Sequence, residues 1–201
     1  MSRIAGIVLA AGLSRRLGRP KQLLELDGRP LVAHVVARAA LSSLDEVLVV
    51  TGAHAGAIAD ALEGFRVRIV HNDRYEAGQG TSLAAGIAAL AEDVDAAVIL
   101  LADQPAVLTS AIDLAIGARR VTRSPIVMAR YGEQRGHPVL FGRELFPELL
   151  QLDGDAGGRE IIRAHQADVV LVDGGACAPP ADVDTEDAWV ALRESWDQSF
   201  Q

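Results

Sequence analysis

The feature that most limits how this chain can fold is a set of six short, mainly apolar runs: Ile4 to Ala10, Glu46 to Thr51, Val67 to Asn72, Ala96 to Ala102, Pro125 to Arg130 and Ala167 to Val172. Each has the length of a strand. Continuous apolarity demands cover on both faces, the condition of a parallel sheet lying between helices. The intervening segments repeat at helical period. The clearest helix opens at Pro30 and sets Leu31, Val32, Val35, Val36 and Ala39 on one side. Others are expected over 55–62, 81–91, 109–120, 143–150, 157–165 and 186–196. This alternation predicts an α/β fold. With no repeat, low-complexity linker or shift in composition, residues 1–201 are expected to form a single domain.

Composition removes several classes of function. A net charge of −8 argues against a nucleic-acid-binding surface, and 4% aromatic residues argue against a stacking platform for single strands. No run approaches the ~20 apolar residues of a membrane-spanning helix. The N-terminal IAGIVLAAGL is broken by glycine and leads into an arginine cluster instead of a cleavage region, so no signal peptide is expected and the cytoplasm is the default location. Cys177 is the sole cysteine, which excludes an internal disulfide and a thiolate metal cage, and it is expected to be structural.

The first apolar run leads into GLSRRLGRPKQ, Gly12 to Gln22, which holds the only lysine of the chain; the other 18 of its 19 basic residues are arginine. Arg15, Arg16, Arg19 and Lys21 cluster before the first acidic residue, Glu25. Open α/β sheets bind ligands at the carboxyl ends of their strands, so this basic, glycine-containing loop is placed to bind phosphate. It is neither a Walker loop nor GxGxxG. Gly12 lets the backbone approach a ligand. A solvated basic loop is the plain alternative. Ammonium is a compact point charge where guanidinium is a broad fork, so a lysine kept against an arginine background suggests a confined position between phosphate oxygens.

A second apolar run ends in ADQP, where Asp103 emerges at the same sheet edge. A carboxylate there can hold Mg²⁺, which needs one or two protein ligands when phosphates complete its shell; a turn or cap before Pro105 is the alternative. DVDTEDAW, from Asp182 to Trp189, offers Asp182 and Asp184 on one side of an extended segment, with Thr185 a candidate cap for the last helix. GQGTSLAAG opens a helix with Gly80, Thr81 and Ser82, suited to polar contact with a base or sugar. His34, His54, His71, His137 and His165 have no metal-ligand spacing, and there is no G-x-S-x-G elbow.

Taken in order, LAAGLSRRLGRPKQLLELDGRPL, LLADQP, RGHPVLF, GDAGGR and DVDTEDAW resemble the MobA-like nucleotidyltransferases over nearly the whole chain, most closely the molybdenum cofactor cytidylyltransferase (MocA-type) branch. The resemblance implies a three-layer αβα Rossmann-like nucleotidyltransferase fold with a mostly parallel central sheet. It further implies transfer of CMP from CTP to the phosphate of the molybdenum cofactor, with release of pyrophosphate and a molybdoenzyme as recipient of the product. Lys21, Arg16 and Asp103 are the implied catalytic residues, and Asp103 and Asp184 the Mg²⁺ ligands. The nucleotide is expected to meet Leu9, Ala10, Ala11, Gly12, Ser14, Arg15, Arg16, Lys21, Gly80, Thr81, Ser82 and Asp103. The acceptor is expected to meet Gln104, Gly136, His137, Pro138, Gly157 and Gly158. These sets divide the chain into a nucleotide-binding half, about 1–105, and an acceptor-binding half, about 106–201. LAAG suits the cytidylyl branch, whose guanylyl-transferring relatives carry LAGG. Leu17 replaces the usual Met, and GQGTSL departs from the commoner GMxSSL. Another phosphorylated acceptor (sugar, polyol or redox-cofactor precursor) and a non-catalytic binding chaperone are the alternatives.

Overall fold

The computed structural model describes residues 2–155, 157–175 and 179–199; Cys177 lies outside the described residues. Strand β1 (Arg3–Leu9) runs into the basic loop, which is followed by a 3-10 turn, Lys21–Leu23, and a small hairpin of β2 (Glu25–Leu26) and β3 (Arg29–Pro30). Then follow α1 (Leu31–Ala40), β4 (Glu46–Thr51), α2 (Ala55–Ala61), β5 (Arg68–His71), α3 (Gln79–Ala88), β6 (Val94–Leu101) and α4 (Thr109–Thr122). The chain closes with β7 (Ile126–Tyr131), β8 (Gln134–Gly142), α5 (Phe146–Leu149), α6 (Arg159–Ala164), β9 (Val169–Asp173) and α7 (Glu186–Ser199).

A seven-stranded sheet has the order β5-β4-β1-β6-β8-β7-β9. Only β8 runs against the others, pairing antiparallel with β6 and β7. Side chains alternate between two cores along each central strand: Ile4, Val8, Val47, Val49, Val98 and Leu100 face one, while Ala5, Ile7, Leu48, Val50, Ala97 and Ile99 face the other. Helices α1, α2 and α4 close the first core through residues such as Val36, Ile58 and Ile112. Helices α3, α5 and α6 close the second through Leu83, Leu149 and Ile161. The result is a three-layer αβα sandwich, and burial on both faces is why these strands read as unbroken apolar runs.

Three local expectations need correction. Pro30 is outside the first helix: it ends β3 and caps α1 with extended backbone, φ −57° and ψ 145°. The segment 143–150 divides into a 3-10 turn, Arg143–Leu145, and the short α5. Strand β8 went undetected because its first half, Gln134 to His137, is polar and Pro138 normally demotes a strand.

After β1 the chain builds β4 and β5 on one side, then crosses to β6 on the other. The β1–β6 boundary is therefore the topological switch point, where open α/β sheets form their ligand crevice. Leu9 and Leu101 are register partners at the last rung of that pairing.

Candidate active site

The basic loop leaves β1 at this switch point. Gln22, only 2% exposed, fixes its shape. The Gln22 amide donates to the Gly12 carbonyl at 2.9 Å, and its oxygen accepts from Ser14 Oγ at 3.4 Å. Ser14 Oγ accepts in turn from the Lys21 backbone N–H at 3.0 Å, with Ser14 in the left-handed region at φ 52°. These bonds fold the loop back so that Lys21 points across the crevice. Lys21 Nζ donates to Asp103 Oδ2 and to Asp184 Oδ1, both at 2.6 Å. Arg16 holds the other oxygen of Asp184 at 2.6 Å, and Arg19 grips Glu186 at 2.7 Å.

Asp103 lies just beyond β6, and Asp184 just before α7. A third apolar cluster, with Leu24, Leu26, Leu31, Val183, Trp189, Leu192 and Trp196 buried and Leu17 packed against it, seats α7 against the segment that carries Lys21. The opposing charges hold one another. Burial works against the Lys21 ammonium, but Asp103 and Asp184 outweigh it and raise its pKa. The hydrogen bond from Lys21, helped by Arg16, holds the Asp184 carboxyl below its usual range. Deep burial pushes Asp103 up, against the pull of Lys21.

Above these groups lies a cavity of about 480 Å³. Leu9, Ala11, Gly12, Ser14, Arg15, Arg16, Lys21, Ser82, Asp103 and Asp184 line it. A second cavity of about 290 Å³ is lined by Gln104, Gly136, His137, Gly157 and Gly158 among apolar walls that include Met128, Phe141 and Ile162. Burial pushes the His137 imidazole pKa down, which favours the neutral ring. It faces the Ile99 carbonyl through Nδ1 at 3.2 Å, and since a carbonyl only accepts, Nδ1 bears the proton and Nε2 is left as an acceptor.

Ala10, Gly80, Thr81 and Pro138 line neither cavity. Ala10 packs in the first core. Pro138 is buried and joined to His137 by a cis peptide. Thr81 is 4% exposed, and its hydroxyl is occupied by the Arg74 and Gly78 carbonyls and the Asn72 amide. The glycines of GQGTSL serve close approach: a Cβ on Gly80 would stand 2.9 Å from the Asp153 carbonyl oxygen, and one on Gly78 would overlap Gly154. The N-terminus of α3 thus docks flush on the 153–154 loop, with Gly80 N–H bonded to the Gly154 carbonyl at 2.8 Å. Sequence reasoning did not assign Gln22 or Gln79 to the site, and it gave no role of their own to Asp182, offered beside Asp184, or to Arg159, the last residue of the acceptor-facing GDAGGR segment. Gln22, beside Lys21 and polar where the chain turns inward, carried the one usable signal.

Asp103 and Asp184 each place an oxygen against a single cationic atom, a geometry that a divalent ion could adopt with the same two oxygens. No group of three or more His, Cys, Asp or Glu side chains suited to a metal occurs among the described residues. Two carboxylates satisfy Mg²⁺ only when a ligand such as a polyphosphate supplies further oxygens. No described helix is long and apolar enough to cross a membrane.

An αβα sheet whose switch point carries a basic loop, a lysine–dicarboxylate cluster and two adjoining cavities has the form of a site for a phosphorylated ligand. Residues 6–169 match the family described as MobA-like NTP transferase domain, and the chain belongs to that family. It is 34% identical over 191 residues to nicotine blue oxidoreductase of Paenarthrobacter nicotinovorans, covering 90% of this chain and 92% of that protein. A probable molybdenum cofactor guanylyltransferase of Bacillus cereus (strain AH187) is 43% identical over 54 residues, 27% of this chain and 26% of that one. The crystal structure of Rv0371c from Mycobacterium tuberculosis H37Rv in complex with manganese superposes with a TM-score of 0.81 at 30% identity, covering 96% of this chain and 100% of that one.

Proposed function

We propose that this protein transfers CMP from CTP to the phosphate of the molybdenum cofactor, with Mg²⁺ as cofactor and pyrophosphate as the second product. The observation that carries the reading is Lys21 suspended between Asp103 and Asp184 at the switch point. Such an arrangement can exchange partners: a triphosphate takes the ammonium, and the two carboxylates become free to hold a metal. Bound there, Mg²⁺ would neutralise charge on the phosphates as the pyrophosphate leaves. Lys21, with Arg15 and Arg16, would hold the leaving phosphates. No covalent protein intermediate is needed, because the acceptor phosphate itself is the nucleophile.

The cytidylyl assignment rests on the LAAG form of the first motif, and the molybdenum assignment on the relative named as a probable molybdenum cofactor guanylyltransferase. On this reading residues 1–201 act as one domain: the half to about residue 105 holds the nucleotide, the rest holds the acceptor, and the product passes to a molybdoenzyme. Residues of the first cavity serve the nucleotide. Gln104, Gly136, His137, Gly157 and Gly158 serve the acceptor.

The test is kcat/KM for CTP, GTP, UTP and ATP with molybdenum cofactor as acceptor, followed by pyrophosphate release. CTP is expected to be preferred over GTP, and Ala11→Gly to relax the preference by roughly 10- to 200-fold, the range of a steric discrimination, while Mg²⁺ dependence persists. A preference for GTP would overturn the cytidylyl assignment. Turnover only with another phosphorylated acceptor would move the reading to that substrate, and nucleotide binding without turnover would identify a chaperone.

A further inference from the structure

The two cavities meet at a threshold. Leu9, Leu101, Gln79, Arg159 and Asp182 line both. Because Leu9 and Leu101 end the β1–β6 pairing, the threshold stands over the switch point itself. Of its two charged side chains, Asp182 is engaged, accepting from Gln104 Nε2 at 2.6 Å. Arg159 is exposed and makes no hydrogen bond or ion pair among the described residues. Of the other cations that line the nucleotide cavity, Lys21 and Arg16 are paired with carboxylates, while Arg15 is exposed and makes no hydrogen bond or ion pair among the described residues. The preceding residues place Arg159. A Cβ on Gly158 would stand 2.9 Å from Phe141 Cζ, so the chain lies flush on β8 before α6 begins at Arg159. The charge of Arg159 reaches into the acceptor cavity, where it adds to burial in lowering the pKa of His137.

We propose that Arg159 is a further catalytic residue, whose guanidinium binds the attacking phosphate of the acceptor and holds it against the α-phosphate of the nucleotide. The inference rests on the nucleotidyl-transfer reading and names the group that brings its two anions together. Both partners are negatively charged, and they must meet where the cavities join, with the pyrophosphate leaving on the side opposite the acceptor. In the step, an oxygen of the acceptor phosphate dianion forms a bond to the α-phosphorus. The α–β bridging P–O bond breaks, and its electron pair leaves with pyrophosphate; the attacking oxygen carries no proton to remove. An unpaired planar fork can bind two oxygens of one phosphate, or one from each of two.

The experiment uses the full chain saturated with Mg²⁺ and a non-hydrolysable α,β-methylene nucleotide, with inorganic phosphate as probe, titrated by ³¹P NMR. The analogue is whichever of the four nucleotides saturates the protein. Wild type is expected to bind phosphate in this state, Arg159→Met to weaken it about tenfold or more, and Arg159→Lys to recover part of the loss. Arg135→Met tests the other unpaired cation of the acceptor cavity and is expected to weaken phosphate less. In turnover, Arg159→Met should lower kcat/KM for the acceptor about 100-fold while KM for the nucleotide stays within about twofold. Unchanged phosphate binding in Arg159→Met, no phosphate binding by wild type, or a larger loss in Arg135→Met would each overturn the proposal. Failure of the molybdenum cofactor as acceptor leaves the phosphate titration intact, so the two readings fail separately.

Discussion

Lys21 shows what a single residue type decides. Its ammonium is largely buried and bonded to two carboxylates at 2.6 Å, so the space around Nζ is set by a tetrahedral donor of small radius. A guanidinium would carry the charge into the same place as a flat fork with its donors at the wrong spacing. If Lys21 holds the triphosphate, Lys21→Arg should lower kcat about tenfold or more while the far-ultraviolet circular dichroism stays that of the wild type. A Lys21→Arg protein with wild-type kcat would reduce the lone lysine to a product of composition. The lysine could be found in the sequence because every other basic position had become arginine. Asp103 could be found because it ends an apolar run. Gln22 carries no such mark, and Asp182 and Arg159 stand inside DVDTEDAW and GDAGGR with nothing to single out their side chains. Their positions depend on hydrogen bonds and on cavities formed by segments far apart in the chain, as when Gln104 meets Asp182 across 78 residues.

Among the elements, the strands rich in Val, Ile and Leu were the ones the sequence disclosed, whether buried on both faces like β4 or largely exposed like β5. Strand β4 was legible to its end residues because every position from Val47 to Thr51 is buried. Strand β8 was hidden because it starts in solvent and only then enters the core, its burial rising from Gln134 toward Val139. An ion-pair cluster adds to the ladders and apolar packing that hold this strand against its neighbours. Arg119 of α4, 5% exposed, reaches Glu144 just after β8 at 2.6 Å and Asp95 of β6 at 3.4 Å, and it donates to the Ser124 carbonyl at 2.9 Å. Burial raises the Glu144 pKa, but the hydrogen bond and charge of Arg119 prevail, so it is lowered from 4.5. A carboxylate depressed in the folded state adds stability that is present above its unfolded pKa and is lost as pH falls through the folded one. Glu144→Gln should therefore lower Tm at pH 7, and the gap to wild type should narrow as pH falls below the ordinary glutamate range and through the lowered folded pKa. With the Glu144 side chain 45% exposed, solvent screening limits the pH 7 loss to about 1 kcal/mol, or roughly 2–4 °C for a chain of this size. Thermal unfolding followed at pH 7, 5 and 3.5 reads both; a gap that does not narrow between pH 5 and 3.5 would assign the effect to packing.

At the scale of the whole molecule, the candidate site joins the two ends of the chain. Lys21 meets Asp184 across 163 residues, and α7 returns from the acceptor side to bury Trp189 and Trp196 against Leu24, Leu26 and Leu31. A ligand that binds Lys21, Asp103 and Asp184 together therefore holds the first loop, the central strand and the last helix in one arrangement. The unfolded chain has no counterpart to this site, so the full binding free energy appears as stability. At a Mg²⁺–CTP concentration of about 100 times Kd, that is about 2.7 kcal/mol, or roughly 5–10 °C in Tm for a domain of about 200 residues. Three comparisons separate the site from nonspecific nucleotide binding. Adding EDTA should remove most of the rise, since two carboxylates without a metal repel the triphosphate. Asp184→Asn should do the same, because it withdraws the contact that ties α7 to Lys21 and one of the two proposed metal ligands. GTP should raise Tm less than CTP at equal concentration if the cytidylyl reading holds. Differential scanning fluorimetry across a nucleotide series measures all three, and a rise indifferent to both EDTA and Asp184→Asn would place the nucleotide elsewhere than at the switch point.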